Sequence, residues 1–249
     1  MDHKQKCMEQ RNFLKANFIG LENVITDQMN SIDYPPVQKD YDGEPIKLPE
    51  IDTERIPNKN IIDCIKNRRS RRKFSDENIS LHDLSFLLWA TQGVQRKLND
   101  DKITLRPVPS GGARHPFETY LAINCVDGLE KGIYRYLPLE HALIFLFSVD
   151  DMKNKLTEAN LGQPFAGESA VTFLWSVIPY RTEWRYSFVS AKTILLDCGH
   201  LGQNLYLACE AIGLGTCAIA AYDQKKCDDL LKLDREDEFV VYVSPVGKY

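Results

Sequence analysis

The sequence lacks several features that would place the chain in a specialised class of protein. Its 249 residues contain no apolar run long enough to cross a bilayer, and the longest candidate, Ala142–Phe147, has the length of a buried strand. No apolar segment follows Met1–Lys6, so no signal peptide is predicted. No segment repeats or falls to low complexity. These absences favour a cytoplasmic protein that does not bind membranes.

Metal-binding cysteine pairs and an excess of positive charge are also missing. The seven cysteines form no C-x-x-C pair and no Cys/His metal spacing, so we expect reduced thiols and no metal site. Lysine and arginine total 31 against 35 aspartate and glutamate residues, and this formal net charge of -4 argues against a nucleic-acid partner. The apolar fraction of 43% is that of an ordinary globular protein.

Two regions differ in composition. Up to about residue 30, apolar residues recur at helical spacing, and from there to residue 58 prolines repeatedly interrupt regular structure. We therefore predict an N-terminal helix and proline-rich arm over residues 1–57, and we expect this region to pack against a partner subunit. Residues 58–249 are predicted to form a single domain.

Helices and strands are interleaved within residues 58–249. Ser80 and Asp83 form a capping-box pattern at the start of one helix, and Gly213 ends the longest one. Residues 96–106 are polar and are predicted to be a loop. The predicted helices are Pro57–Arg68, Ser80–Gln95, Asp151–Leu161, Ser190–Ile212 and Gln224–Leu231. The predicted strands are Glu118–Val126, Gly132–Tyr136, His141–Phe147, Ala170–Ile178 and Glu238–Val246. Because the strands include hairpins, we predict an α+β fold with a mixed or antiparallel central sheet flanked by helices.

A strongly basic run, Arg68–Phe74, follows the first of these helices. Five of its seven residues are cationic in a chain of nearly balanced charge. Guanidinium groups bind phosphate through paired N–H donors, and a serine hydroxyl adds another donor. A charge run alone is more often a solvated surface, so this pattern needs support from elsewhere in the chain.

Two further stretches suit a bound ligand. Arg106–Pro116 carries prolines near its ends and two central glycines, which is typical of a rigid turn or of a backbone-lined ligand loop. Leu214–Asp223 consists mostly of small residues, which pack closely and can also leave a flat surface for a planar ring.

Taken together and in this order, the three stretches resemble the nitroreductase-like family of FMN flavoproteins. The similarity covers residues 58–248. The SagB/ThcOx-type oxidoreductase branch is suggested by Pro109–Pro116, by Gly132–Tyr136 before His141, and by Asp197–His200. The resemblance implies a homodimer with FMN at the subunit interface.

The resemblance also implies the residues that bind the flavin. Arg68, Ser70 and Arg72 would hold the phosphate and ribityl chain, with Arg69 close by. The loop Pro109, Ser110, Gly111 and Gly112 would line the ring from the partner subunit. The small-residue segment Ala218, Ile219, Ala220 and Ala221 would offer backbone N–H groups to the N5 edge, chiefly from its last two residues.

Two departures from the family pattern stand out. Relatives often end with a further basic segment that reaches the phosphate, whereas here Lys248 is the one basic residue at the C-terminus. Azoline-oxidising relatives carry a catalytic Lys-Tyr pair before the long helix, and the nearest match here is Arg185-Tyr186. Arginine stays protonated at neutral pH and cannot act as the base, so Tyr186 is the remaining candidate for proton transfer.

The resemblance predicts an FMN-dependent oxidoreductase with ping-pong kinetics. NADH or NADPH would pass a hydride through flavin N5 to a small oxidised acceptor such as a nitro compound or quinone. The alternatives are a SagB-type dehydrogenase or oxidase acting on a peptide or small-molecule precursor, and a flavin-binding protein without turnover.

Overall fold

The computed structural model describes residues 3–58 and 60–249, so predictions that touch Met1, Asp2 and Lys59 lie there outside the described residues. The α-helices are α1 (His3–Gln10), α2 (Ile61–Asn67), α3 (Leu81–Gln92), α4 (Met152–Ala159), α5 (Phe165–Glu168), α6 (Tyr180–Tyr186), α7 (Ser190–Ala211) and α8 (Gln224–Leu231). The strands are β1 (Ile46–Lys47), β2 (Arg96–Leu98), β3 (Ile103–Leu105), β4 (Phe117–Ile123), β5 (Gly132–Leu137), β6 (Ala142–Phe147), β7 (Val171–Val177), β8 (Gly215–Thr216) and β9 (Phe239–Gly247).

The core is a seven-stranded sheet in the order β1-β6-β5-β4-β7-β9-β8, and its paired strands are antiparallel. Every residue of β4 and β7 is buried, because helices cover both faces of the sheet. Leu121 faces the cluster built with α3 and α7, while its neighbour Tyr120 faces the cluster built with α4 and α8. The predicted α+β fold with helices flanking the sheet is confirmed, with the antiparallel arrangement.

Helix α3 begins where the capping pattern predicts. The Ser80 hydroxyl accepts a hydrogen bond from the Asp83 N–H at 3.0 Å, and the Asp83 carboxylate accepts one from the Ser80 N–H at 3.2 Å. This reciprocal pair satisfies two donors that the first helical turn would otherwise leave unbonded. The helix ends at Gln92, three residues earlier than predicted.

Helix α7 is the longest element and packs against α2, α3 and α6. Leu201 and Leu205 are buried in the core, whereas Leu195 and Leu196 on its N-terminal half are exposed. Gly213, which follows the helix, has a φ of 72°, so its left-handed backbone ends the helix as predicted. No helix within the described ranges is long and apolar enough to cross a membrane.

Several local predictions were wrong. Residues 96–106 contain the β2–β3 hairpin, whose turn places Asn99, Asp100 and Asp101 at positive φ, a conformation that asparagine and aspartate tolerate. Residues 11–23 form two 3-10 turns in place of a continued helix. Helix α2 begins at Ile61, four residues later than predicted, and its isoleucines Ile61, Ile62 and Ile65 are exposed in the single chain.

The proline-rich arm packs on its own chain from Thr26 onward. Residues 32–45 of the arm form no helix or strand, so their backbone carbonyl groups can accept hydrogen bonds from buried arginines. Asp40 O accepts from Arg135 at 2.7 Å, and Val37 O accepts from Arg106 at 3.1 Å. The Lys39 N–H donates to Glu118, which also forms an ion pair with Arg181 at 2.5 Å. Contact of the more N-terminal residues with a partner subunit stays a prediction.

Candidate functional site

The basic run is held against the small-residue segment at one edge of the sheet. Ser70 forms a parallel bridge with Thr216 in β8, and the Arg71 N–H donates to Thr216 O at 2.9 Å. A side chain on Gly215 would place its Cβ 2.8 Å from Arg71 Cβ, so glycine is needed for this close approach. The fold therefore joins two stretches that lie more than a hundred residues apart in sequence.

The arginines of this run carry uncompensated positive charge. Within residues 3–58 and 60–249, no carboxylate lies within 4.0 Å of the guanidinium groups of Arg68, Arg69, Arg71 or Arg72. Arg69 and Arg72 are exposed. The Arg71 guanidinium lies 4.1 Å from the Tyr249 ring centroid, and its buried Nε has no hydrogen-bond partner among the described residues. Such a cluster is suited to an anion with several oxygens.

Tyr206 on α7 connects the basic run to the small-residue segment. Its hydroxyl lies 3.0 Å from Ser70 Oγ and accepts a hydrogen bond from the Ala218 N–H at 2.9 Å. The Arg68 guanidinium lies over the Tyr206 ring, 5.2 Å from its centroid. One side chain thus fixes the positions of three predicted site residues.

The small-residue segment presents backbone donors to solvent. Ile219 is fixed by reciprocal backbone hydrogen bonds with Val243, at 2.7 and 3.2 Å. The next two residues, Ala220 and Ala221, are exposed, and in the described part of the chain their N–H groups form no hydrogen bond. Gln163 holds the segment from the other side by donating to Ala221 O at 3.0 Å. These rigidly placed N–H groups are available to a ligand.

The loop Pro109–Gly112 is anchored on the middle of α7 by a buried carboxylate. Asp197 accepts hydrogen bonds from the Ser110 hydroxyl at 2.6 Å and from the Gly111 N–H at 3.1 Å. Burial raises the pKa of Asp197, and these two hydrogen bonds oppose that change. On the exposed side of the same loop, His200 Nδ1 lies 3.3 Å from Pro109 O.

Tyr186, the last residue of α6, lies against the same loop. Gly112 has a φ of 61°, and a Cβ there would lie 2.7 Å from the Tyr186 hydroxyl. The Arg185 guanidinium lies 5.5 Å from the Tyr186 ring centroid, and Phe18 packs edge-on against that ring at 6.1 Å. The predicted proton-transfer residue and the predicted ring loop are therefore neighbours.

Within one chain the candidate residues form two separate groups. Asp197 anchors the loop group and Tyr206 anchors the basic group, and nine residues of helix place these anchors roughly 13 Å apart along α7. The loop group contains Pro109, Ser110, Gly111, Gly112 and Tyr186. The basic group contains Arg68, Arg69, Ser70, Arg72, Ala218, Ile219, Ala220 and Ala221. Lys248 lies at the edge of the basic group, and its amine is already paired with Glu77 at 3.0 Å.

The sequence did not predict that Asp197 and Tyr206 anchor the two groups. Tyr206 is one of many aromatic residues in helices, and only the fold brings it to Ser70. The role of Asp197 could have been found from the sequence, because a carboxylate among the leucines of a long buried helix needs a hydrogen-bonding partner. Within the described residues, no group of three or more histidine, cysteine, aspartate or glutamate side chains is arranged to hold a metal ion.

Comparisons with known proteins bear on the family and the fold. The sequence model of the nitroreductase family matches residues 65–248. A protein of Methanocaldococcus jannaschii named as a nitroreductase is 29% identical over 203 residues, which are 82% of this chain and 96% of that protein.

Two further likenesses concern microcin biosynthesis. The microcin B17-processing protein McbC of Escherichia coli is 25% identical over 134 residues, and the match covers 52% of this chain but only 49% of McbC. A chain in the solved structure of the E. coli microcin synthetase McbBCD complex with truncated pro-MccB17 bound has the same fold. Its TM-score is 0.61 at 18% identity, over 98% of this chain and 91% of that chain.

Proposed function

Because the chain belongs to the nitroreductase family, we propose that it is an FMN-dependent oxidoreductase. It would transfer a hydride from NADH or NADPH to a small oxidised acceptor such as a nitro compound or a quinone. The observation that carries this proposal is the arginine cluster, which no described carboxylate pairs, together with the N–H groups of Ala220 and Ala221, which make no hydrogen bond within the described residues. A phosphate group needs the positive charge of the arginines, and the polar edge of a flavin ring needs the N–H donors.

The residues of the basic group fit the phosphate end of FMN. Arg68, Arg69 and Arg72 would neutralise the phosphate dianion, since no described carboxylate competes for them. Ser70 would add a hydroxyl donor. The unpartnered Nε of Arg71 lies in the same segment and supports the same fit.

The residues of the small-residue segment fit the ring end. When bound, FMN would supply the hydride-transfer chemistry at N5. The N–H groups of Ala220 and Ala221 would donate hydrogen bonds to that edge, and the pairing of Ile219 with Val243 would hold them in place. The loop Pro109–Gly112 of a second subunit would cover the ring and exclude water, and Tyr186 beside it would be the candidate proton donor.

A homodimer is part of the proposal. The N-terminal half of α7 exposes Leu195 and Leu196, and α2, which packs near the C-terminal end of α7, exposes Ile61, Ile62 and Ile65 at 56%, 70% and 59% of their surface. Exposed apolar faces of this kind are typical of a surface that is buried in an oligomer. A second copy packed there would bring its own loop group towards the basic group of the first.

Flavin binding and kinetics test the proposal. Arg68→Ala and Arg72→Ala should each weaken FMN binding, whereas Arg96→Ala, which removes an exposed arginine of the β2–β3 hairpin, should leave it unchanged. With donor and acceptor varied, the reciprocal rate plots should be parallel, because both substrates use one ring face in turn. Intersecting lines would contradict the ping-pong mechanism.

The likeness to McbC favours a second candidate, a SagB-type dehydrogenase or oxidase acting on a peptide or small-molecule precursor. Arg185 in place of a lysine opposes it, because guanidinium does not serve as a base. Mixing the flavin-loaded protein with NADH or NADPH without oxygen separates the two. Rapid bleaching supports the first proposal, and no bleaching with turnover of an oxidisable precursor supports the second. Bound FMN with neither reaction would indicate a flavin-binding protein without turnover.

A further inference from the structure

The Tyr206 hydroxyl contacts the Ala218 N–H and the Ser70 hydroxyl, and the donor of each hydrogen bond can be assigned. The Ala218 N–H can only donate, so at 2.9 Å the Tyr206 oxygen accepts from it. The phenol also has a proton of its own to place. The acceptor that the described structure offers is Ser70 Oγ at 3.0 Å.

This assignment leaves the Ser70 proton free. If Ser70 donated to Tyr206 instead, the phenol proton would have no acceptor among the described residues. With Tyr206 as the donor, the exposed Ser70 hydroxyl keeps its own O–H for another partner. Ser70 follows Arg69 in the basic run and contacts the same Tyr206 side chain as Arg68, where positive charge that no described carboxylate compensates favours an anionic oxygen.

We propose that Tyr206 is a positioning residue that orients the Ser70 hydroxyl as a hydrogen-bond donor to a phosphate monoester. The inference rests on the proposed function, in which that monoester is the phosphate of FMN. Tyr206 acts through its hydroxyl, whereas its ring supports the Arg68 guanidinium at 5.2 Å. Tyr206→Phe removes the hydrogen bonds of the hydroxyl with Ser70 and with the Ala218 N–H, and it keeps the ring under Arg68.

The test compares FMN with riboflavin, which has the same ring and ribityl chain but no phosphate. Dissociation constants are measured by flavin fluorescence titration for the wild type, Tyr206→Phe and Tyr242→Phe. Tyr242 is a matched control, because it is half-buried against Gly202 of α7 and its hydroxyl makes no hydrogen bond in the described chain. Tyr206→Phe should raise the Kd for FMN about tenfold, the loss expected for a hydrogen bond to a charged group, and change the Kd for riboflavin much less. Tyr242→Phe should leave the ratio of the two constants unchanged.

Ser70→Ala shows whether Tyr206 acts through Ser70. Ser70→Ala alone should reduce the preference for FMN over riboflavin to the same extent, and adding Tyr206→Phe should reduce it little further, since coupled residues are not additive. Ser70→Ala also tests the inference if Tyr206→Phe fails to fold, because an unchanged preference in this variant would overturn it.

Failure of the proposed function and failure of this inference give different results. A wild-type protein that binds no FMN would overturn the proposed function and this inference with it. A wild-type protein that binds FMN, with an unchanged FMN preference in folded Tyr206→Phe or with fully additive losses, would overturn this inference alone.

Discussion

The separation of the candidate residues into two groups predicts that each site is built from two subunits. Two variants disable one group each. Arg68→Ala combined with Ser70→Ala removes the phosphate contacts. Gly112→Val blocks the ring loop, because its backbone φ of 61° is strained for any side chain and a Cβ would lie 2.7 Å from the Tyr186 hydroxyl.

The amount of FMN expected per heterodimer follows from the positions of the two groups. The anchors of the two groups are roughly 13 Å apart on the same helix, so we expect each basic group to meet the loop of the other subunit. In a heterodimer of the two variants, one site then receives both defects and the other receives none. Such heterodimers should bind about 0.5 FMN per chain, against about one for the wild type and close to none for either parent homodimer.

The assay uses co-expression with two different affinity tags. Purification over both tags yields only mixed dimers, and FMN is quantified by its absorbance after heat release. A wild-type pair carrying the same two tags controls for loss of flavin during purification. Heterodimers that bind no FMN while this control is fully loaded would refute the two-subunit site, because a site within one chain would be damaged in both subunits.

Three further predictions concern stability. Arg181→Met should lower the free energy of unfolding by about 3–5 kcal/mol in urea titrations, because it removes the closer of two arginines that pair with the buried Glu118 carboxylate and leaves Arg135 at 4.0 Å. A loss below about 1 kcal/mol would show that Arg135 alone compensates the Glu118 charge. Ser80→Ala should cost about 1 kcal/mol through loss of the hydrogen bond to the Asp83 N–H, and an unchanged denaturation midpoint would contradict the role of this cap. Burial lowers the pKa of His115 to about 2, far below its unfolded value of 6.5, so this residue makes the folded state less stable as the pH falls below 6.5, by up to about 1.4 kcal/mol per pH unit. His115→Gln should flatten the stability profile between pH 6.5 and 4.5, and an equally steep profile in this variant would assign the loss to other groups.

Most helices and strands of residues 58–249 could be predicted, because their apolar residues follow clear helical or strand spacing. Gln224–Leu231 is predicted and observed with the same bounds, since its polar and apolar residues alternate at helical spacing and Asp223 caps it. The strand Val171–Val177 lies within its predicted range, because a short, mostly apolar run suits a strand that is buried on both faces.

Other features depended on tertiary context. The β2–β3 hairpin has a polar composition typical of a loop, and its strands are identified by the register that pairs Arg96 with Leu105. The spacing of the isoleucines in α2 predicts one apolar helix face. Periodicity alone does not distinguish burial in the chain's own core from burial against a second copy, and in the single chain Ile61, Ile62 and Ile65 are exposed.

The candidate site was predictable only in part. The three stretches that carry the family resemblance were identified from their residues, and the fold brings two of them together. The role of Tyr206 could not be predicted, since it depends on the meeting of Ser70 and Ala218, which lie 136 and 12 residues away in sequence. Hydrogen bonds between residues so far apart leave no local pattern.

The most direct test of the central claim is the absorption spectrum of the purified protein, followed by identification of any flavin released by heat. The account predicts a yellow protein that releases about one FMN per chain, because each basic group would hold one phosphate. A colourless protein that stays colourless and binds no FMN when the cofactor is added would contradict the account. The arginine cluster would then have to serve a different anion.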